Sequence, residues 1–431
     1  MTKMTFTNYL YKNLWLQVVI SLGIGLGFGL ILGNDVGIGL EDESLDFVAS
    51  YLKIPASIFL SLIHMIIVPL IFCSIVLAIS SLGSKDKLKS LGLGIGGYFV
   101  MTTTISITIA IILVSIVSPG SLLDITLLKE SYDLTDTEVE IKEGFSLDDI
   151  PNAVASVIPK NPVTSYLEGQ MLSILVFAMI VGLAAASLPK ESVKSFLEVL
   201  EAIQKITIHI LMFSMKIVPF AVFGLIVGMV SKVGIESMVG MGAYMGTVFA
   251  GLGAMLLVYI LILKFVAKRD FTTFTKFRNP QTLAFSTGSS MATMPVTLKT
   301  AEEELKADKK ISKFVIPLGT TVNMDGTALY QVIAVFFLAQ LFSIELSIIS
   351  ILVIIITTLL ASIGTPAIPG AGVIVLSTIL VTVGIPPVGI ILLISVDRIL
   401  DMTRTMVNVT GDLTATCVFD KLVGDPKTKA D

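Results

Sequence analysis

Cysteine is almost missing from this chain of 431 residues. Only Cys73 and Cys417 occur, each in apolar surroundings, which argues against a disulfide framework and against metal–thiolate chemistry. Histidine is as scarce, and His64 and His209 stand alone on apolar segments, where packing or a hydrogen bond is the expected role. Charge is thin: Asp, Glu, Lys and Arg make up 14% of residues against 54% hydrophobic, and a mean hydropathy of +0.92 then excludes an ordinary soluble domain. A net charge of −4 leaves no electrostatic footprint for nucleic acid. No G-x-x-x-x-G-K-[ST] phosphate loop is present, so ATP-driven pumping would need a partner chain. Strand-like alternation is missing too, which sets aside the outer-membrane barrels.

Long apolar runs are what the chain has. No charge interrupts Leu16–Leu32, and Ile54–Ser80, Tyr98–Val117, Ser173–Ser187, Ile206–Val230 and Met238–Val266 are nearly as apolar. Several are long enough to cross about 30 Å of hydrocarbon, so an all-α polytopic membrane protein is expected. Lys3 and Lys12 precede the first run and no small-residue cleavage site follows it, so it reads as a spanning helix and not a removed signal. The connections Ser84–Lys89, Pro189–Lys194, Lys264–Pro280 and Leu298–Lys313 hold most of the Lys and Arg, whereas the loops Glu41–Asp46 and Asp124–Ile150 are acidic. The positive-inside rule places the basic loops and both termini in the cytoplasm, and the acidic loop outside.

Near the end of the chain, Asp397, Asp401, Arg404, Thr405, Asn408 and Asp412 fall within a stripe roughly 100° wide when wound at 3.6 residues per turn. A charge at the bilayer centre costs at least ~2.5–3.5 kcal/mol, so three carboxylates and an arginine in one apolar helix call for a site that holds a polar ligand or an ion. Mutual neutralisation that merely fixes packing is the competing explanation. Arg404 can pair with Asp401 three residues back or reach Asp397, but it cannot neutralise all three acids. Arg398 lies at the edge of the stripe, where a packing role competes with a place in the site.

Two other stretches break helical pattern at membrane depth. Ser286–Pro295 is rich in Ser, Thr and Gly, and Ser362–Gly372 reads SIGTPAIPGAG between two apolar pieces; Gly and Pro there end regular helix. Non-helical backbone is tolerated in the membrane only when buried or lining a cavity, so both read as re-entrant hairpin tips. Each is followed by a polar-interrupted helix, Asn323–Thr327 (NMDGT) after the first and Asn408–Asp412 (NVTGD) after the second. Paired broken segments of this kind point to a transporter's binding site. Asp325 has no Lys or Arg near it in sequence, and Asp, Asn, Thr and free carbonyl oxygens suit a hard monovalent cation. Thr102 and Thr103 are candidates to add hydroxyls, although membrane threonines commonly bond back to their own helix. With Asp325, Asp397, Asp401 and Asp412 ionised against Arg404, with or without Arg398, an anionic substrate enters only with cations or protons.

At GTTVNMDGTALYQ (Gly319–Gln331), SIGTPAIPGAG and DMTRTMVNVTGDLT (Asp401–Thr414) the chain resembles the dicarboxylate/amino acid:cation symporter family, and the likeness runs from Lys12 to Phe419. The resemblance implies eight transmembrane helices plus two re-entrant hairpins arranged as inverted repeats, in a homotrimer embedded in the cell membrane. It implies scaffold helices 1 and 2 over residues 1–87, transport-domain helix 3 over 88–119, and the external acidic loop with the start of helix 4 over 120–165. Scaffold helices 4 and 5 follow over 166–235, then the transport domain over 236–420 (helix 6, hairpin 1, helix 7, hairpin 2, helix 8) and a cytoplasmic tail over 421–431.

Carried over residue by residue, the resemblance gives Arg404 the substrate's side-chain carboxylate, with Asp397 orienting the guanidinium. Asp401 takes the ammonium with Thr405, and Asn408 takes the main-chain carboxylate. Ser289, Ser290, Ile368 and Gly372 close over the substrate, with Thr327 alongside. Three sodium sites are implied: Asp412 with carbonyls of Gly319, Asn323 and Asn408; carbonyls of Thr321, Ser362, Ile363 and Thr365; and Asp325 with Asn323, Thr102, Thr103 and the Phe99 carbonyl. Gly288 and Met402 stand where archaeal and animal members respectively place an arginine, which bears on potassium counter-transport.

The function expected is sodium-driven symport of L-aspartate and/or L-glutamate, with sodium as coupling ion, no organic cofactor and no catalytic residue. A proton-coupled glutamate carrier or a C4-dicarboxylate carrier is the nearest alternative, although Asp401 suits an ammonium. An intramembrane aspartyl protease would also place paired Asp residues in helices, here Asp325 and Asp412, but the cation motifs and both hairpins speak against it. A channel would leave Arg404 unexplained.

Overall fold

Apolar runs without breakers become long helices, and the runs broken by Gly and Pro become helices that turn back on themselves. The computed structural model describes residues 14–33, 42–80, 86–123, 158–167, 171–233 and 236–423. The acidic stretch 124–150 lies outside them, as do Lys3 and Lys12. Every regular element among the described residues is helical.

The first half holds α1 (Leu14–Leu32), α2 (Asp42–Ser80), α3 (Asp86–Val117), α4 (Pro162–Leu167), α5 (Met171–Ser187), α6 (Lys190–Ser214), α7 (Val218–Val233) and α8 (Glu236–Phe265). Asp42–Asp46, expected as a loop, is the first turn of α2. The apolar run Ile206–Val230 is not one regular helix: it tightens into a 3₁₀ turn at Met215–Ile217, just before Pro219. His209, expected in a packed role, is exposed on α6.

The second half holds the single turn α9 (Thr272–Thr275), then α10 (Arg278–Thr287), α11 (Ser290–Lys299), α12 (Lys309–Val322), α13 (Asp325–Leu341), α14 (Ile348–Gly364), α15 (Ala371–Thr382) and α16 (Ile390–Val423). The charged connection Leu298–Lys313 is no open loop, since it contains a π-helical turn at Thr300–Glu304 and an N-cap in which Asp308 accepts from Lys310 N–H.

Helices α5, α6 and α7 pack on α2, and α1 packs on α7. Helices α3, α8, α10, α12 and α13 gather with α16, and α11, α14 and α15 join them at the broken ends. Burial runs opposite to that of a water-soluble protein. Arg404, Asp325 and Asp412 are at most 1% exposed, while Ile116, Ile348 and Phe220 are 74%, 79% and 67% exposed. Such a surface suits lipid. Among the described residues four stretches are long and apolar enough to cross a bilayer: Gly94–Leu122, Glu191–Gly228, Val239–Phe265 and Lys309–Leu341.

Candidate functional site

Helix ends make the site. Helix α12 is capped by Asn323, whose N–H returns to Gly319 O at 2.7 Å, and α13 begins at once with Asp325. The last carbonyls of any helix lack partners within it, so this break frees backbone oxygen inside the protein. Helix α14 ends the same way at Gly364. Helices α11, α13 and α15 start there, with N–H groups pointing the opposite way. Carbonyl ends attract cations and N–H ends attract anions.

The two tips are fastened to each other. Ser289 caps α11 by accepting from Ala292 N–H at 3.2 Å, and its hydroxyl donates to Ala367 O at 2.7 Å across the gap. On the other tip, Gly370 (φ +79°) donates its N–H to Asp401 Oδ2 at 3.2 Å. Between the tips, Ser290, Ile368, Gly372, Asp401, Thr405 and Asn408 line a space of about 10 Å3, room for about one water molecule.

Arg404 lies behind two of these lining residues, Gly372 and Asp401. One guanidinium nitrogen donates to Asp401 Oδ1 at 2.8 Å, and the other lies 3.1 Å from Asp397 Oδ1. Its plane sits 3.8 Å over the Tyr330 ring, a cation–π contact. A side chain at Gly372 would meet the guanidinium at 3.0 Å, so that glycine makes the room. Among the described residues Nε and Nη1 make no hydrogen bond although both are buried, Nη1 having only its ion-pair contact with Asp397, and buried charged donors of this kind call for an acceptor, a carboxylate fitting best. Asn408 accepts from Gly326 N–H at 2.8 Å and donates to Thr327 at 3.2 Å, while Thr405 bonds back to Asp401 O at 2.8 Å.

Oxygen gathers on the other side of the break. Asn323 Nδ2 donates to Asp412 Oδ1 at 2.9 Å and to the Asn408 carbonyl at 3.0 Å. Among the described residues Asn323 Oδ1 and Asp412 Oδ2 are buried without hydrogen-bond partners. A Cβ at Gly319 would fall on Asp412 Oδ1, so the missing side chain lets the carboxylate reach the α12 backbone. Asp325 accepts from the Thr103 hydroxyl at 2.6 Å and from the Tyr259 hydroxyl at 2.7 Å, and its carbonyl accepts from Ser106 at 2.6 Å. Thr102 donates to the Phe99 carbonyl at 3.1 Å. Among the described residues neither Asp325 nor Asp412 has an ion-pair partner. These orphaned acceptors and uncompensated carboxylates fit a small hard cation. Thr321 ends α12 and Ser362, Ile363 and Thr365 end α14, two helices that pack together, but no hydrogen bond links the two groups among the described residues, and the side chain of Ile363 lies outside them.

Several contributors were not anticipated from sequence. Tyr259 sits in an uninterrupted apolar run and Ser106 on α3; neither carries a local signal. Tyr330 and Gln331 lie inside the motif that drew attention to Asp325, and Gln331 donates to Gly372 O at 3.3 Å. Arg398 is buried at 6% exposure and donates to Asp401 Oδ2 at 3.2 Å, beside the candidate pocket.

Helix ends of both polarities, meeting around buried charge in an all-helical chain with a lipid-compatible surface, are the construction of a multi-pass secondary transporter. Over residues 14–422 the chain matches the sodium:dicarboxylate symporter family and belongs to it. It is 32% identical over 409 residues to the proton/sodium-glutamate symport protein of Bacillus subtilis (strain 168), covering 95% of this chain and 94% of that one. The proton/glutamate-aspartate symporter of Escherichia coli (strain K12) is 32% identical, with 94% and 93% covered. Excitatory amino acid transporter 3 of Bos taurus is 30% identical, with 95% and 86% covered.

Proposed function

We propose that this protein is a secondary active symporter that couples inward sodium flux to uptake of L-aspartate and/or L-glutamate across the cell membrane. The observation that carries the reading is Arg404: a buried guanidinium with two undonated nitrogen positions, seated on Gly372 where α15 begins. The acidic substrates named in its relatives agree with that chemistry. Arg404 takes the side-chain carboxylate, Asp401 the ammonium with Thr405, and Asn408 the main-chain carboxylate. Ser289, Ser290, Thr327 and the backbone at Ile368 and Gly372 close around the ligand, and Asp397 orients Arg404.

Sodium occupies the oxygen clusters at Asp412 and Asp325, with a further ion between the ends of α12 and α14. An amino acid does not fit a space of about 10 Å3, so entry requires the tip at Gly370 to leave Asp401. The pairs α10–α11 and α14–α15 act as re-entrant hairpins beside eight spanning helices. The helices gathered around α2 and α7 form the scaffold and those gathered with α16 form the moving domain, an assignment supported by packing that is more extensive within each group than between them. The carrier works by an elevator movement in a homotrimer with cytoplasmic termini. Proton coupling is the second reading, because relatives are named for it.

Uptake of radiolabelled aspartate into proteoliposomes under an imposed sodium gradient, an imposed proton gradient, or neither tests the proposal. Accumulation driven by sodium is expected. Accumulation driven by protons alone replaces sodium with the second reading, and indifference to both gradients ends the symport proposal.

A further inference from the structure

Asp401 is held by two guanidinium groups. Arg404 donates to Oδ1 at 2.8 Å, and Arg398 donates to Oδ2 at 3.2 Å beside the Gly370 N–H. The second group of Arg398 donates to the carbonyl of Thr287 at 3.3 Å. Thr287 is the last residue of α10, so that carbonyl sits at the negative end of a helix and lacks a partner within it. Gly288 follows at φ +65°, and a Cβ there would meet Arg398 Nη1 at 2.7 Å and Asp401 Oδ2 at 3.1 Å. The guanidinium thus rests on a bare backbone, wedged between the first tip and the carboxylate. Asp397 and Asp401 face Arg398 and Arg404, so this corner of the pocket is charge-balanced with no ligand in it.

The consequence concerns what each ligand brings. On the reading of the pocket given above, a ligand carboxylate shares Arg404 with Asp401 and weakens that ion pair. An amino acid supplies an ammonium in exchange. A dicarboxylate without an amino group supplies nothing, and a buried carboxylate left without a partner is strongly unfavourable. Arg398 remains on Oδ2 in that case. For an amino acid the same contact is a competitor, since ammonium and guanidinium seek one oxygen.

We infer that Arg398 is an internal stand-in for the substrate's ammonium and a specificity-determining residue, which lets the pocket accept four-carbon dicarboxylates lacking an amino group while weakening its hold on acidic amino acids. The inference rests on Asp401 being the ammonium's partner, and it assigns Arg398 a part in discrimination through Asp401 and not a contact to substrate.

The test is aspartate binding by calorimetry, with succinate as competitor, on the purified full-length protein in saturating sodium. Wild type is expected to show competition by succinate. Arg398→Gln is expected to raise the ratio of succinate to aspartate dissociation constants by on the order of 100-fold, the effect of leaving one buried carboxylate unpaired. Arg398→Lys, which keeps the charge and loses the fork, is expected to restore most of the ratio. Arg398→Met, which keeps an aliphatic stem beside Gly288, is the second neutral variant should the glutamine fold poorly. A merely structural clamp would weaken both ligands by one factor; an unchanged ratio, or a wild type in which succinate does not compete, overturns the inference. Asp401→Asn separates the two layers: it is expected to weaken aspartate more than succinate, and undiminished aspartate affinity would instead remove the pocket reading itself.

Discussion

One methyl group at Gly319 tests the cation half of the site. Gly319 lies in the last turn and a half of α12, and a Cβ built on it falls on Asp412 Oδ1, with Asp412 Cγ at 3.0 Å and Phe99 Cζ at 3.1 Å. The Phe99 ring is fully packed at 1% exposure, so the carboxylate is the group that yields. Turning it away breaks the 2.9 Å bond from Asn323 Nδ2, a hydrogen bond to a charged group worth about 1.5–3 kcal/mol, which corresponds to roughly 10–150-fold in cation affinity if the oxygen is a ligand. Ala is the better helix former by about 1 kcal/mol, so the fold recovers part of the strain and binding does not. Gly319→Ala is therefore expected to lower the apparent sodium affinity, read from aspartate binding titrated with sodium, far more than it lowers the melting temperature without sodium. Gly96→Ala, where a Cβ meets nothing within 4 Å, serves as the control and should leave the titration in place. A wild-type sodium affinity in Gly319→Ala would refute the placement of a cation at Asp412.

Three further outcomes follow from single contacts. Arg404→Lys removes the fork over Gly372 and Tyr330, and aspartate affinity in saturating sodium, measured by calorimetry, should fall by on the order of 100-fold because a point charge cannot make the bidentate pair. Tyr259→Phe deletes the hydroxyl that donates to Asp325 Oδ2 at 2.7 Å; the sodium titration of aspartate binding should shift by roughly tenfold or more, with no change in which ligands compete. Ser289→Ala removes the 2.7 Å bond to Ala367 O between the tips, worth about 1 kcal/mol, and should speed aspartate dissociation by about fivefold in a stopped-flow chase.

The polar stripe of α16 was legible because its members are neighbours through helical periodicity. Arg404 meets Asp401 one turn away and Asp397 two turns away, as spacing alone required. The breaks were legible for a related reason: Ser286–Pro295 and SIGTPAIPGAG carry the Gly and Pro that end regular helix, whereas NMDGT was legible only as a polar interruption, and its Asp325–Thr327 open α13. What stayed hidden depended on contacts between distant segments. Tyr259 and Asp325 are 66 residues apart, and a tyrosine in an apolar run looks like any packed aromatic. Thr103 read as weakly as other membrane threonines until Asp325 lay 2.6 Å from it. Gly319 and Gly372 are two among 34 glycines, and nothing local marks them as those against which a carboxylate and a guanidinium press. Arg398 stayed open for an angular reason, since the edge of a stripe is outer or inner according to which hairpin packs there, and the tip at Gly288 packs there.

Asn408 joins the two halves of the site, and that makes ion–substrate coupling a local matter. Its side chain holds Gly326 N–H and Thr327 in the pocket, while its main-chain carbonyl is gripped by Asn323, which also grips Asp412. A cation that fixes Asn323 and Asp412 thereby fixes the backbone from which the pocket amide projects, so the ligand meets a pre-set partner. Linkage requires the reverse effect to be of equal size: bound aspartate raises sodium affinity by the same factor. Asn408→Ala keeps the carbonyl and deletes the amide. If coupling ran only through closure of the tips, the variant would bind aspartate more weakly with an unaltered dependence on sodium. With the amide as the joint, the sodium dependence of aspartate affinity should itself become shallower, and an unchanged slope in calorimetric titrations at several sodium concentrations would place the coupling elsewhere.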